Sequence, residues 1–364
     1  MKNKILIGLF LVTLAMPGIG MLTKLGNNIS LEENRDLAVK PTILTKEYPK
    51  LFTNYFNDHF GFRNQMIVAD RRMRYSLFNV SPNKKIIIGK GNWLFYAPDS
   101  NYIDSVNGQP FSKTDLEQIK NNLADIQKNF ENMGVKFYFL AAPNKQSIYP
   151  EFLPDSMKKV RPDSRLDQIS NYLKDNQEIN FINPKEDLIE AKKNNQVYLK
   201  YDTHWNQMGA LTAYQKLFLR LKKDFKTLEP KAIDDFTINL ETAPNNDLAL
   251  QMGVAGNFVE SEKVLKNKDQ KAKIVFENCP KQYTGCPVTV REVQNPKLPK
   301  LVMFRDSFGA GLIPFVAEHF QRSYFFWGTM PYSTDIIKKE KPDIVIMELT
   351  ERELWRLNEK VFEF

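Results

Sequence analysis

The chain has 364 residues, of which 42% are hydrophobic, with 51 basic against 43 acidic side chains and a formal charge of +8. This much apolar material can fill a large core, and the composition excludes a disordered or low-complexity chain. The basic surplus is spread along the chain without a dense Lys/Arg block, so charge gives no ground for a nucleic-acid partner; an anionic glycan or a membrane surface would suit it better.

At the N-terminus, Lys2 and Lys4 precede an uncharged run from Ile5 to Leu22. As a helix that run would span about 27 Å, close to the bilayer core. Two readings stay open, a retained anchor or a cleaved signal peptide. Gly18-Ile19-Gly20 offers small residues at a cleavage spacing, whereas Pro17 and the lack of an Ala-x-Ala site favour retention. Either way the positive flank stays inside, and the rest of the chain is expected outside the cytoplasm, held at the cytoplasmic membrane if the anchor is kept. Residues 1–25 are therefore a signal-anchor or signal peptide, and 26–80 an exported stalk and helical segment with Tyr55, Phe56, Phe60 and Phe62 as apolar anchors around His59. Residues 81–364 form the main domain.

That domain opens with Ile86-Ile87-Ile88, a glycine turn and Trp93 to Tyr96, the pattern of a hairpin. Ser112 starts a helix to about Met133, with Leu116, Ile119, Leu123 and Ile126 on one face. Strands at 135–142 and 180–183 alternate with helices near 163–174, 185–194 and 207–224, and a short strand is expected at 196–199. From about 228 to 298, Pro, Asn, Asp and Lys become frequent and short extended pieces follow one another, which predicts a β-rich insertion. Cys279 and Cys286 bracket a Pro- and Gly-containing stretch there. An exported chain allows them to form a disulfide, and with no further Cys or His nearby a metal site is not expected. The α/β rhythm returns with strands at 301–304, 323–327 and 343–347 and a helix at 309–320. Alternating strands and helices predict a parallel sheet with helices on both faces.

In such sheets ligands gather at the carboxyl ends of the strands. Three ends carry reactive side chains: Arg305-Asp306-Ser307, Asp202-Thr203-His204-Trp205 and Glu348-Leu349-Thr350-Glu351-Arg352. Ser307 stands where a helix's free N–H groups could receive negative charge, and a serine needs a base that is itself oriented by a carboxylate. Asp202 and His204, two apart in an extended segment, face the same side and meet that need. The bland alternative makes Ser307 a helix cap. Of the other two histidines, His319 fits a packing or helix-end role and His59 a structural or site-lining one. Trp93, Tyr96, Trp205 and Trp327 suit either a sugar platform or the core.

Five motifs, Asn57-Asp-His-Phe-Gly-Phe-Arg63, Gly91-Asn-Trp-Leu-Phe-Tyr96, Pro143-Asn-Lys-Gln-Ser-Ile-Tyr-Pro150, Asp202-Thr-His-Trp-Asn-Gln-Met-Gly and Arg305-Asp-Ser-Phe-Gly, resemble the AlgX and AlgJ group of alginate O-acetyltransferases. The resemblance covers nearly everything after residue 50, least clearly 228–298. It implies an SGNH-hydrolase-like fold in circularly permuted order, without a cofactor, with Ser307 as nucleophile, His204 as base and Asp202 as its partner. It places Gly328 and the Thr350–Arg352 loop where ordinary members put their oxyanion groups; Glu351 and Arg352 replace the usual Asn, so they join Gly328, Trp205 and Arg305 as oxyanion or substrate candidates. The implied activity is acetyl transfer to an exported polysaccharide, with a multipass membrane acyltransferase as acetyl source. An acetyl esterase or a catalytically idle glycan-binding subunit would carry the same residues.

Overall fold

The computed structural model describes residues 2–23, 36–98, 104–175, 178–243, 246–254, 258–279 and 286–364. The first residues of the expected stalk and the interior of the Cys279–Cys286 loop lie outside them. The chain divides into two compact units, 1–83 with 249–257, and 84–248 with 258–364.

In the first unit, helix α1 (Lys2–Thr23) is apolar on all sides beyond Lys4 and is long and apolar enough to cross a membrane. Helices α2 (Tyr48–His59) and α3 (Arg63–Phe78) meet at Phe62, whose backbone is left-handed with φ 63°. Tyr55 stacks on His59 with ring centres 4.3 Å apart, and the Tyr55 carbonyl lies 2.9 Å from His59 Nδ1, so this histidine is engaged locally.

The second unit begins with the antiparallel pair β1 (Ile86–Ile88) and β2 (Leu94–Tyr96). Ser112 and Asp115 form a reciprocal cap that starts α4 (Lys113–Asn132). β3 (Lys136–Ala142), the single turn α5 (Lys145–Ile148), α6 (Arg165–Leu173, capped by Ser164 and Asp167), β4 (Phe181–Ile182) and α7 (Lys185–Ala191) follow. Asn206 caps α8 (Gln207–Asp224) by accepting the Gly209 N–H. Then come β5 (Phe236–Thr242), α9 (Asp247–Met252, whose residues from 249 on belong to the first unit), β6 (Ser261–Asn267), β7 (Lys273–Asn278), β8 (Val288–Glu292), β9 (Lys300–Arg305), the short α10 (Ile313–Val316) and β10 (Arg322–Trp327). β11 (Tyr332–Ser333), α11 (Asp335–Glu340), β12 (Ile344–Thr350) and β13 (Phe362–Glu363) complete the chain.

The central sheet has seven strands in the order β4-β3-β12-β9-β10-β8-β7; the first five are parallel, β8 pairs antiparallel with both β10 and β7, and so only β8 runs the other way. Side chains alternate across it. Phe137, Phe139, Val302, Phe304, Val345 and Met347 pack with α4 and α6 on one face. Tyr138, Leu140, Leu301, Met303, Ile344 and Ile346 share the other core with Leu211, Tyr214, Phe218 and Leu221 of α8. Helices thus cover both faces, as the alternation of elements predicts.

Three local expectations are corrected. Residues 196–199 form no strand beyond a bridge between Tyr198 and Trp205, because the chain doubles back at once through Leu199 N–H to His204 O and Asn206 N–H to Val197 O. The helix expected over 309–320 is broken into a 3-10 turn at Phe308–Leu312, the single turn α10 and a second 3-10 turn at Ala317–His319; glycines at 309 and 311 weaken its start and Pro314 offers no N–H. The stretch 228–298 also splits. β5 and β6 make a separate hairpin, whereas β7 and β8 extend the central sheet, β8 pairing with β10 from Arg322↔Glu292 to Phe326↔Val288. Cys279 and Cys286 are disulfide-bonded between them.

Candidate active site

The parallel strands β3, β9, β10 and β12 all deliver their carboxyl ends to one edge of the sheet, and the candidate residues collect there. At the end of β9, Asp306 shapes the turn that carries Ser307. Its Oδ2 accepts the N–H and hydroxyl of Thr350, at 2.7 and 2.6 Å, which ties β9 to β12; its Oδ1 accepts the Phe308 N–H at 2.8 Å. Beneath the turn, a Cβ on Gly309 would come within 2.6 Å of Arg305 Cβ and 2.7 Å of Glu348 Oε2, so only glycine fits. Glu348 is fully buried and accepts the Asp306 N–H; burial and then the Asp306 charge push its carboxyl well above the usual range. The Ser307 hydroxyl and N–H have no hydrogen-bond partner among the described residues.

Asp202 and His204 meet as their spacing predicts. His204 Nδ1 lies 2.6 Å from Asp202 Oδ1, which also accepts the His204 backbone N–H. A carboxylate can only accept, so the ring proton sits on Nδ1 and the Nε2 lone pair faces away from Asp202. Nε2 is buried and has no hydrogen-bond partner among the described residues. The ring lies 5.0 Å from that of Phe308, the residue after Ser307, so the two segments adjoin although 103 residues separate 204 from 307. Burial pushes the imidazolium down, yet the hydrogen bond and charge of Asp202, helped by Asp247, outweigh it and raise the His204 pKa above 6.5. Burial likewise raises Asp202, but the His204 hydrogen bond and charge prevail and lower it.

Two acids behind this pair carried no sequence signal. Asp247 accepts the Thr203 N–H at 2.7 Å and donates its own N–H to Asp202 Oδ2 at 2.9 Å; burial and then the Asp202 charge raise its pKa. Glu260 accepts the N–H groups of Lys200 and Tyr201, at 2.8 and 3.0 Å. Asp202, His204 and Asp247 bring ligand atoms within 4.8 Å of one another, a composition compatible with a metal ion, but backbone donors and the Nδ1 proton already occupy the facing oxygens.

The remaining candidates separate by burial. Trp205 is a core residue whose indole N–H donates to the Phe308 carbonyl at 3.1 Å, and Trp93 is buried against Phe152 and Tyr149. Arg305 is buried beside the Trp327 ring and donates to the carbonyls of Asp306 and Cys286. Glu351 accepts the Asn144 N–H at 2.8 Å and the Ser147 hydroxyl at 2.6 Å, holding the loop after β3 rather than facing the serine. Arg352, half-buried, lies between the rings of Tyr96 and Phe308 at 5.4 Å from each, and its guanidinium has no hydrogen bond or ion pair among the described residues. Gly328 follows β10, where a Cβ would meet the Phe326 ring at 2.4 Å. His319 is not part of this cluster. It is paired with the Tyr214 hydroxyl at 2.6 Å, and burial, with Lys231 adding to it, pushes it down to about 4.

A mainly parallel sheet covered on both faces, with a serine turn and an Asp-x-His segment adjoining at one edge, defines an SGNH-hydrolase-like protein. A family model described as the SGNH hydrolase-like domain of acetyltransferase AlgX matches residues 86–276, just over half of the chain, and the chain belongs to that family. Similar proteins include the probable alginate O-acetylase AlgJ of Pseudomonas syringae pv. tomato, 25% identical over 232 residues (62% of this chain and 56% of the relative), and that of Pseudomonas aeruginosa, 28% identical over 193 residues (51% and 45%). The chain spans about half the length of these relatives. Among solved structures, Bacillus cereus PatB1 matches with a TM-score of 0.54 at 16% identity, over 76% of this chain and 99% of that one. A DHHW family protein from Eubacterium siraeum matches with a TM-score of 0.52, also at 16% identity, over 76% and 95%. At such identity these two show the fold alone.

Proposed function

We propose that the chain is an O-acetyltransferase that moves acetyl groups onto hydroxyls of an exported polysaccharide through an acyl-serine at Ser307. The observation that carries the reading is the His204 imidazole, fixed by Asp202 on Nδ1, with Nε2 unpartnered among the described residues and the ring 5.0 Å from that of Phe308, the residue after Ser307. In the first step Ser307 Oγ attacks the acetyl carbonyl, its proton passes to Nε2, and Asp202 stabilises the imidazolium. The leaving group departs with that proton and acetyl remains on Oγ. A sugar hydroxyl then attacks the ester, gives its proton to Nε2, and Ser307 leaves with it as the alcohol. The Ser307 N–H and the Arg352 guanidinium, which lies 5.4 Å from the ring of Phe308 beside Ser307, are proposed to stabilise the developing oxyanion.

Relatives named as probable alginate O-acetylases support a polysaccharide acceptor. Helix α1 supports an extracytoplasmic protein anchored at the membrane, close to a multipass acyltransferase that would supply the acetyl group, since tethering raises effective concentration. The test is mass spectrometry of the protein after exposure to an aryl acetyl ester, followed by addition of oligosaccharide acceptors. Acetyl on Ser307 that is discharged faster by acceptors is the expected result. Equal labelling of Ser307→Ala would overturn the acyl-serine, and acetate release indifferent to every acceptor would identify an esterase instead.

A further inference from the structure

Lys145, the residue that opens α5 just past the end of β3, is 2% exposed and packs against the loop that presents Asp202 and His204. Its Nζ donates to three carbonyl oxygens of that loop, Leu199 at 2.8 Å, Lys200 at 3.0 Å and Asp202 at 2.8 Å. An ammonium group has three protons and no lone pair, so three carbonyl acceptors use it completely. The rings of Trp93 and Phe95 stand 5.3 and 5.2 Å from Nζ and shield it from water. The same loop is also held by carboxylates, Glu260 on the N–H groups of 200 and 201 and Asp247 on that of 203. The polar backbone between 199 and 203 is thus gripped by a cation through its oxygens and by anions through its nitrogens. No regular ladder does this work, because the loop has only the Tyr198–Trp205 bridge.

We propose that Lys145 is a positioning residue for the base: its ammonium, by taking the carbonyls of 199, 200 and 202 together, fixes the loop at the height and rotation at which His204 addresses Ser307. The proposal rests on the acyl-serine reading above. Burying a charged amine at this place is costly, and burial pulls Lys145 down to about 7 against the opposing charges of Asp202, Glu260 and Asp247, so a neutral residue would be the default unless the three-way bond were needed. A displacement of about 1 Å at the base can cost roughly 100-fold in rate, which is the scale of effect expected here.

The experiment is steady-state acetyl-ester turnover by the full-length protein across pH, with Lys145→Met against wild type and Ser307→Ala as reference. Lys145→Met is expected to lower kcat about 100-fold with little change in KM, to remove the alkaline limb expected of wild type as the ammonium loses its proton, and to broaden or move the downfield proton resonance of His204 Nδ1–H. A rate and profile matching wild type overturn the proposal; so does a slower enzyme whose pH profile and Nδ1–H resonance are unchanged, since that is a structural effect only. If Lys145→Met does not fold, Lys145→Gln, which keeps an N–H donor, is read by the same criteria. A Ser307→Ala protein as active as wild type would sink the acyl-serine reading instead, so the two failures are distinguishable.

Discussion

Asp247 and Asp202 stand back to back behind one imidazole: the Asp247 N–H donates to Asp202 Oδ2 at 2.9 Å, while the Asp247 carboxylate takes the Thr203 N–H at 2.7 Å. The negative charge of Asp247 adds to that of Asp202 in raising the His204 pKa above 6.5. A general base works when neutral, so activity should rise as pH climbs through this raised value. Asp247→Asn removes one anion, lowers the His204 pKa, and should move the acid limb of kcat/KM toward lower pH. A pH–rate profile checks this, and a shift to higher pH would contradict it. The raised pKa has a stability consequence of the same sign: the ion-pair contribution of His204 is complete below pH 6.5 and is lost as pH rises through the folded value.

Trp205 supports the site from beneath rather than binding sugar. Trp205→Phe keeps most of the apolar volume but leaves the Phe308 carbonyl without its indole donor. It should cost about 1–2 kcal/mol of stability and slow acylation of Ser307, with oligosaccharide affinity unchanged. Denaturant unfolding and glycan titration separate the two effects.

The hydroxyl of Thr350 reaches Asp306 Oδ2 at 2.6 Å, and Asp306 in turn holds the N–H of Phe308. Thr350→Val preserves shape and the backbone bond while deleting the hydroxyl. The expected outcome is a loss of about 1–2 kcal/mol together with slower labelling of Ser307 by an acylating probe, measured on protein shown to be folded.

His319 should set part of the acid sensitivity. Its folded pKa of about 4 lies below the ordinary 6.5, so between those values only the unfolded chain takes the proton, and stability rises with pH across that window and is full above it. Acidification from about pH 7 to about pH 5 should therefore lower the urea midpoint. His319→Gln should flatten this dependence, whose full size is at most about 3 kcal/mol. Unchanged pH dependence in the variant would refute the assignment.

Much of this architecture is legible in the chain. The hairpin around Gly89 and Gly91, the capped helices at Ser112 and Ser164, and the apolar strands at 136–142, 300–305 and 344–350 follow from local pattern, because capping and side-chain alternation act over a few residues. The pairing of Asp202 and His204 could be anticipated because they lie two residues apart, although the structure makes it in a tight turn, with Asp202 Oδ1 taking both the His204 backbone N–H and Nδ1, rather than in extended backbone.

What lay beyond the sequence are contacts whose partners are set by topology. Whether β7 and β8 form an insertion or complete the central sheet depends on β8 finding β10, 30 residues further along at Arg322↔Glu292, and nothing in their local pattern distinguishes the two. The role of Glu351 depends on which loop β12 delivers it to, and that loop is Asn144 and Ser147 of β3's turn, more than 200 residues earlier. Asp247, Glu260 and Lys145 read in the chain as ordinary charged residues; folding buries Lys145 and brings all three around a loop of five residues, where the low dielectric gives each hydrogen bond its weight. Short-range sterics and hydrogen bonding are written in sequence neighbours, whereas the surroundings that turn a charge into a clamp exist only once distant strands have met.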